Sequence, residues 1–135
     1  MGRSFEATIR DANATLLVEG DLEAVAGFFD PDYVAHVTDR DMTGGHEWVR
    51  KYLRMIRRAF ADLEVDVEIL VKAQDRVAWQ RTIRGTHRAD FQGFPATGRR
   101  IVWRDMVTSR FRDGRFAEDW VVTDLAERLL LARKP

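Results

Sequence analysis

The sequence predicts an α+β fold in which helices pack on one face of a curved antiparallel sheet. Three observations carry this expectation. Apolar residues recur at a 3–4 spacing through the first third of the chain. After Ala61 the apolar period changes to two. No Pro/Gly/Ser-rich linker and no internal repeat separates the two regimes. Helices first and strands afterwards is the order of an α+β domain, and 135 residues suit a single one spanning 1–135.

Taken in order, Phe5, Ile9, Ala12, Leu16 and Leu17 mark a first helix. Gly20 breaks it, and Asp21 suits the N-cap of a second, short helix through Phe28. Asp30-Pro31-Asp32 ends that helix, and Tyr33 to Val37 reads as a short extended piece. Gly44-Gly45 precedes a third helix whose stripe is Val49, Leu53, Ile56 and Phe60. Leu63, Val65, Val67, Ile69 and Val71 then alternate with polar residues as a half-buried strand. A second strand runs from Asp75-Arg76 to about Arg88, and a third from Arg100 to Arg112. The loop Phe91–Gly98 joins them. Asp113-Gly114 is a hairpin signal before a fourth strand, Arg115 to Thr123. Asp124-Leu125-Ala126-Glu127 has the form of a capping box and opens a final helix. A four-stranded meander curled round helices makes a cone, whose open end is the natural small-molecule pocket.

Composition narrows the function. Lys plus Arg and Asp plus Glu are 22 each, so the net charge is zero. That argues against a nucleic-acid binder and against a polybasic membrane anchor. The absence of cysteine excludes disulfides, thiol nucleophiles and cysteine-ligated metals. Met1 to Glu6 carry no apolar run and no window suits a membrane span, so a cytoplasmic location is expected. His36, His46 and His87 lack the i,i+4 spacing of a helical metal pair, so no metal is expected.

Strand parity selects the residues that face the cone. Ile101, Trp103, Asp105, Val107 and Ser109 form the more apolar face of the third strand. Asp105, flanked by Trp103 and Val107, has the surroundings that make a carboxylate a useful base. On the second strand Val77, Trp79, Arg81 and Ile83 share a face. Arg81 is out of place there: it is an oxyanion donor, or the partner of Asp105 in a buried salt bridge. The opposite face, with Val102, Arg104, Met106 and Thr108 beside Gln80, Thr82 and Arg84, mixes apolar and cationic positions as a homodimer interface would.

Gly85-Thr86-His87, Phe91-Gln92-Gly93-Phe94-Pro95-Ala96-Thr97-Gly98-Arg99, Arg110-Phe111-Arg112-Asp113-Gly114-Arg115-Phe116, Glu118-Asp119-Trp120 and Asp124-Leu125 together resemble the SnoaL-like polyketide cyclases. Phe29-Asp30-Pro31-Asp32-Tyr33-Val34-Ala35-His36 is similar to an upstream segment of that family. The resemblance spans about Ile9 to Leu131 and implies a nuclear transport factor 2-like cone. It also implies a cofactor-independent aldol-type closure of a small carbonyl substrate, with no metal. His36 and His87 match family positions. The family's catalytic carboxylate falls on Val121, which cannot move a proton, and Asp119, two residues earlier on the same strand face, is its nearest substitute.

The catalytic set expected is therefore Asp105 or Asp119 as acid/base, with Arg81 and His36 as donors. Trp103, Trp79, Tyr33, Phe94, His87, Val121 and Tyr52 are expected to bind the substrate. Phe91 and Phe94 are placed to form a lid. Two other readings share the pocket: a non-catalytic binder of the same fold, and water activation by an Asp105–Arg81–Asp119 set, as in epoxide hydrolases. Two acids touching Arg81 would favour water activation. One acid in the pocket wall would favour enolisation, and none would favour binding.

Overall fold

The computed structural model describes residues 4–38 and 40–133. Helix α1 (Phe5–Ala12) starts where the Ser4 hydroxyl accepts from the Ala7 amide at 3.1 Å. The expected continuation to Leu17 is π-helical over Asn13–Val18. Wider turns of this kind shift the side chains that follow and are frequent at functional sites. Arg57 closes the run by donating to the carbonyls of Leu17 and Val18 at 2.6 and 2.8 Å. Gly20, at φ 80, makes room for it: a Cβ there would lie 2.4 Å from the Arg57 guanidinium carbon.

The second helix is a 3₁₀ turn, Leu22–Ala24, followed by α2 (Val25–Phe28), and Asp21 makes no side-chain capping bond. Beyond it the structure corrects the expected boundaries. Asp30-Pro31-Asp32 does not merely end a helix; it lies within a nine-residue strand, β1 (Phe29–Val37). The pairing register shifts between Phe29 and Val34, so Pro31 sits where the ladder is irregular. A short edge strand, β2 (Arg40–Met42), folds back on β1. Helix α3 (Gly45–Ala59) follows, and Phe60 begins the next strand rather than ending the helix.

Strands β3 (Phe60–Ala73), β4 (Arg76–His87), β5 (Arg100–Arg112) and β6 (Arg115–Thr123) form the expected antiparallel meander. Among the described residues the sheet has six strands, in the order β2-β1-β6-β5-β4-β3, because β1 adds parallel to β6 and β2 antiparallel to β1. Asp113 and Gly114 close the β5–β6 hairpin with φ 52 and 76, the positive values that such a two-residue turn requires.

Helix α4 (Leu125–Ala132) ends the fold. Asp124 does not act as a capping box. Its Oδ1 accepts from the Arg104 amide at 2.8 Å and its Oδ2 from Arg128 at 3.1 Å, while the Thr123 hydroxyl accepts from the Leu125 amide. Leu125 and Leu129 are thereby pressed into the core. Ile9, Val25, Ala59, Phe60, Ile83 and Leu129 are almost fully buried between the helices and the concave face of the sheet. The alternation read from β5 holds: Ile101, Trp103, Asp105, Val107 and Ser109 are buried, while Val102 and Met106 stand about half exposed on the convex face.

Candidate active site

Between the helices and the concave sheet lies a cavity of about 530 Å³. Its aromatic wall includes Phe29, Tyr33, Trp48, Tyr52, Trp79 and Phe94, and its aliphatic wall includes Leu16, Leu53, Val107 and Val121. Phe91 and Phe94 come from the loop after β4, where mutual backbone bonds of 3.0 and 2.8 Å hold them in a tight turn. Both line the cavity, and Phe91 also packs on Phe60.

Among the described residues Asp119 is the only carboxylate in that wall. Register places it opposite Ser109 on β5 and beside Ala35 on β1. Its Oδ1 accepts from the Ser109 hydroxyl at 2.5 Å and its Oδ2 from the Tyr33 hydroxyl at 2.6 Å. The Trp79 indole N–H donates to Ser109 Oγ at 2.9 Å, so the serine's own hydrogen is committed to Asp119. Burial raises the Asp119 pKa above the usual carboxylate value, against the two hydroxyl donors and the charge of Arg81, which lower it. Tyr33 is pushed well above the normal phenol value by burial first and by the Asp119 charge second.

Arg81 enters the same cavity from β4. Its Nε donates to Asp105 Oδ2 at 2.9 Å and its Nη1 to Asn13 Oδ1 at 2.6 Å. Asn13 is fixed by its own bond to the Ile9 carbonyl at 2.8 Å, four residues back along α1. Nη2 bonds to no described residue and remains a free donor. The Tyr52 hydroxyl is also without a hydrogen bond among the described residues; burial and then the Asp105 charge push its pKa up to about 12, so it stays protonated.

Asp105 itself does not reach the cavity. It is 3% exposed behind Arg81, and its Oδ1 is buried without a partner. The two acids expected to share a site are thus separated: Asp105 holds Arg81, and Asp119 faces the cavity. Trp79, Tyr33, Tyr52, Phe94 and Val121 line the cavity, whereas Trp103 is buried against Phe60, with ring centroids 4.8 Å apart.

The two histidines lie elsewhere. His87 is fully buried and stacked on Phe60. Its Nδ1 accepts from the Thr97 amide at 3.3 Å, its Nε2 has no partner, and burial lowers its pKa. His36 faces the convex side, because along β1 it alternates with Tyr33, Ala35 and Val37, which face the cavity. There its Nδ1 lies 2.6 Å from Asp41 on β2 and its Nε2 2.5 Å from Glu118 on β6, with the ring stacked on Trp120. Arg110 binds the other oxygen of Glu118, and Arg76 lies over Trp120. Two acceptors require both ring nitrogens to donate, which is the imidazolium form.

The Asp41 and Glu118 bonds raise the His36 pKa above 6.5. A raised folded value means a stabilisation that is complete below 6.5 and lost as pH rises through the folded value. The melting temperature is therefore expected to fall over that interval, and His36→Gln should flatten the profile. An unchanged slope in the variant would show that His36 is not the titrating clamp.

Two site residues were not expected from the sequence. Ser109 was legible only as a hydroxyl in the apolar stripe of β5, and Asn13 as a polar residue between Ala12 and Leu16. Among the described residues no group of three or more His, Asp and Glu side chains is placed to hold a metal ion. No helix of the described residues is long and apolar enough to cross a membrane.

A curved sheet wrapped on helices round a cavity is the architecture of the nuclear transport factor 2-like class of cones. Within it the chain belongs to the SnoaL-like polyketide cyclase family, whose model matches residues 7–130. A comparison with curated proteins gives no match. Among solved structures the chain is similar to AclR, a proposed hydroxylase of Streptomyces galilaeus, at 27% identity and a TM-score of 0.81, covering 97% of each chain. It is similar to IdmH, a proposed polyketide cyclase of Streptomyces antibioticus, at 29% identity and a TM-score of 0.78, covering 96% of this chain and 98% of that one. A proposed polyketide cyclase of Acidithiobacillus ferrooxidans shares the fold at 23% identity and a TM-score of 0.84, covering 98% of each chain.

Proposed function

We propose that the cavity carries out cofactor-independent proton transfer on a small, apolar carbonyl compound, as a cyclase or isomerase of the polyketide type. The observation that carries this reading is the single carboxylate, among the described residues, in a mostly apolar and aromatic wall. Asp119 takes the acidic proton beside the carbonyl. Arg81 Nη2 and the Tyr52 hydroxyl donate to the developing enolate oxygen, inside the cavity. Tyr33, Ser109 and Trp79 hold the carboxylate in place. Water activation by two acids on one arginine has less support, since among the described acids only Asp105 bonds Arg81.

The reaction can be read without the natural substrate. 2-Tetralone, a small bicyclic ketone with an activated C–H, should exchange that hydrogen for deuterium in D₂O faster with the protein than in buffer, followed by proton NMR. Binding of the ketone without faster exchange would overturn the proposal in favour of a non-catalytic binder.

We further infer that the protein works in the cytoplasm, as one domain in a homodimer. The convex face supports the dimer, with Val102 46%, Met106 51% and Val122 66% exposed beside Arg104. Light scattering at micromolar concentration should give twice the 15.6 kDa chain mass. Met106→Glu should halve that mass; a monomer in the native protein would sink the idea.

A further inference from the structure

The mouth of the cavity carries a charge pattern that the proton transfer does not use. Among the described residues its exposed lining is Thr38, Arg40, Lys51, Gln92 and Ala126. Two of the five are cations and none is an acid. They stand on different elements, Arg40 on the edge strand β2 and Lys51 on α3. Neither side chain forms an ion pair or a hydrogen bond with any described residue.

The chain as a whole is balanced at 22 and 22, and Arg50, Arg84, Arg100 and Arg110 are each paired with a glutamate or aspartate. Asp41, the acid next to Arg40, is drawn to the convex face by His36, and Asp39 lies outside the described residues.

We propose that the cavity takes an amphipathic ligand: an apolar ring body inside, and a carboxylate left at the mouth between Arg40 and Lys51. This deepens the reading above by naming a substrate class for the same cavity. A carboxylate cannot follow the ring body inward. It would lose its hydration against aromatic walls and meet the like charge of Asp119. Arg81 offers it little, being already matched by Asp105. At the mouth it stays partly hydrated, and the planar guanidinium of Arg40 fits its two oxygens. Anchored there, the molecule enters in one orientation only, with its far end carried towards Asp119 and Arg81.

Dansylglycine and its methyl ester test this, because they share one fluorescent aromatic body and differ in the charge and a single methyl group. In fluorescence titrations at low salt the acid should bind about tenfold more tightly than the ester, the scale of two partly exposed ion contacts. In Arg40→Gln/Lys51→Gln the two should bind alike, at the ester's wild-type affinity. About 1 M NaCl should erase the preference in the wild type, as expected for exposed charges. Equal binding of acid and ester to the wild type would overturn the proposal, and so would a preference that survives the double substitution. If neither dye binds, the cavity reading falls as well. If the acid is preferred but 2-tetralone is not exchanged, the carboxylate site stands and the proton-transfer reading alone is lost.

Discussion

Replacing Asp105 by Asn is expected to destabilise the protein by about 3 kcal/mol, the lower end of the cost of breaking a buried ion pair. The argument rests on what the carboxylate holds. Among the described residues Asp105 is the only acid bonded to Arg81, through Oδ2 at 2.9 Å, and Arg81 is 21% exposed, into the cavity. Without that charge the guanidinium keeps one bond to the neutral Asn13 amide. Access to cavity water moderates the penalty, which is why the lower end applies. For a chain of this length the loss corresponds to a melting temperature lower by roughly 10 °C. Removing both charges together, as Asp105→Leu/Arg81→Met, should recover most of it, because the uncompensated ion is then gone. Thermal melts of the wild type, the single and the double variant decide the matter. An Asp105→Asn protein that melts with the wild type would mean that Arg81 does not need its partner.

The same pair shows what local sequence can reveal. The inward face of β5 was legible because alternation is a property of neighbouring residues: Trp103, Asp105 and Val107 share a face whatever else the chain does. Depth along the strand is not local. Asp105 and Asp119 both point inward, and only the packing of Arg81 over Asp105 decides which one the cavity meets. β1 was harder to see for a related reason. Its partner β6 lies more than 80 residues away, as in the His36–Glu118 contact, and parallel pairing leaves no turn signal between the strands. With Tyr33 to Val37 read only as a short extended piece, Tyr33 and His36 were both expected at the substrate. Three residues apart on a strand, they face opposite sides, and the histidine becomes a clamp on the convex surface. Asn13 was hidden differently, because a π-helical turn has no simple apolar period to betray it.

Asp119→Asn should lower the rate of deuterium exchange into 2-tetralone by a factor of about 10² or more, the usual scale for a lost general base. Stability should hold or rise slightly. The Asp119 pKa is raised on folding, so the folded state favours the protonated form: the group adds stability at low pH and costs some as pH rises through the folded value. Above that value the neutral amide removes the cost, while its oxygen and NH₂ keep bonds to Ser109 and Tyr33. An activity that falls while the melting temperature does not is the opposite of the outcome for Asp105, and the two variants together separate chemistry from scaffolding. The pH profile adds a second reading. The wild-type exchange rate should rise with pH as Asp119 loses its proton, with an inflection above the ordinary carboxylate range, and Asp119→Asn should lack it. Tyr33→Phe removes one donor to the carboxylate and should move the inflection upward, a change that a merely space-filling tyrosine would not produce. Full exchange activity in a folded Asp119→Asn protein would remove the carboxylate from the mechanism and leave the cavity as a binding site.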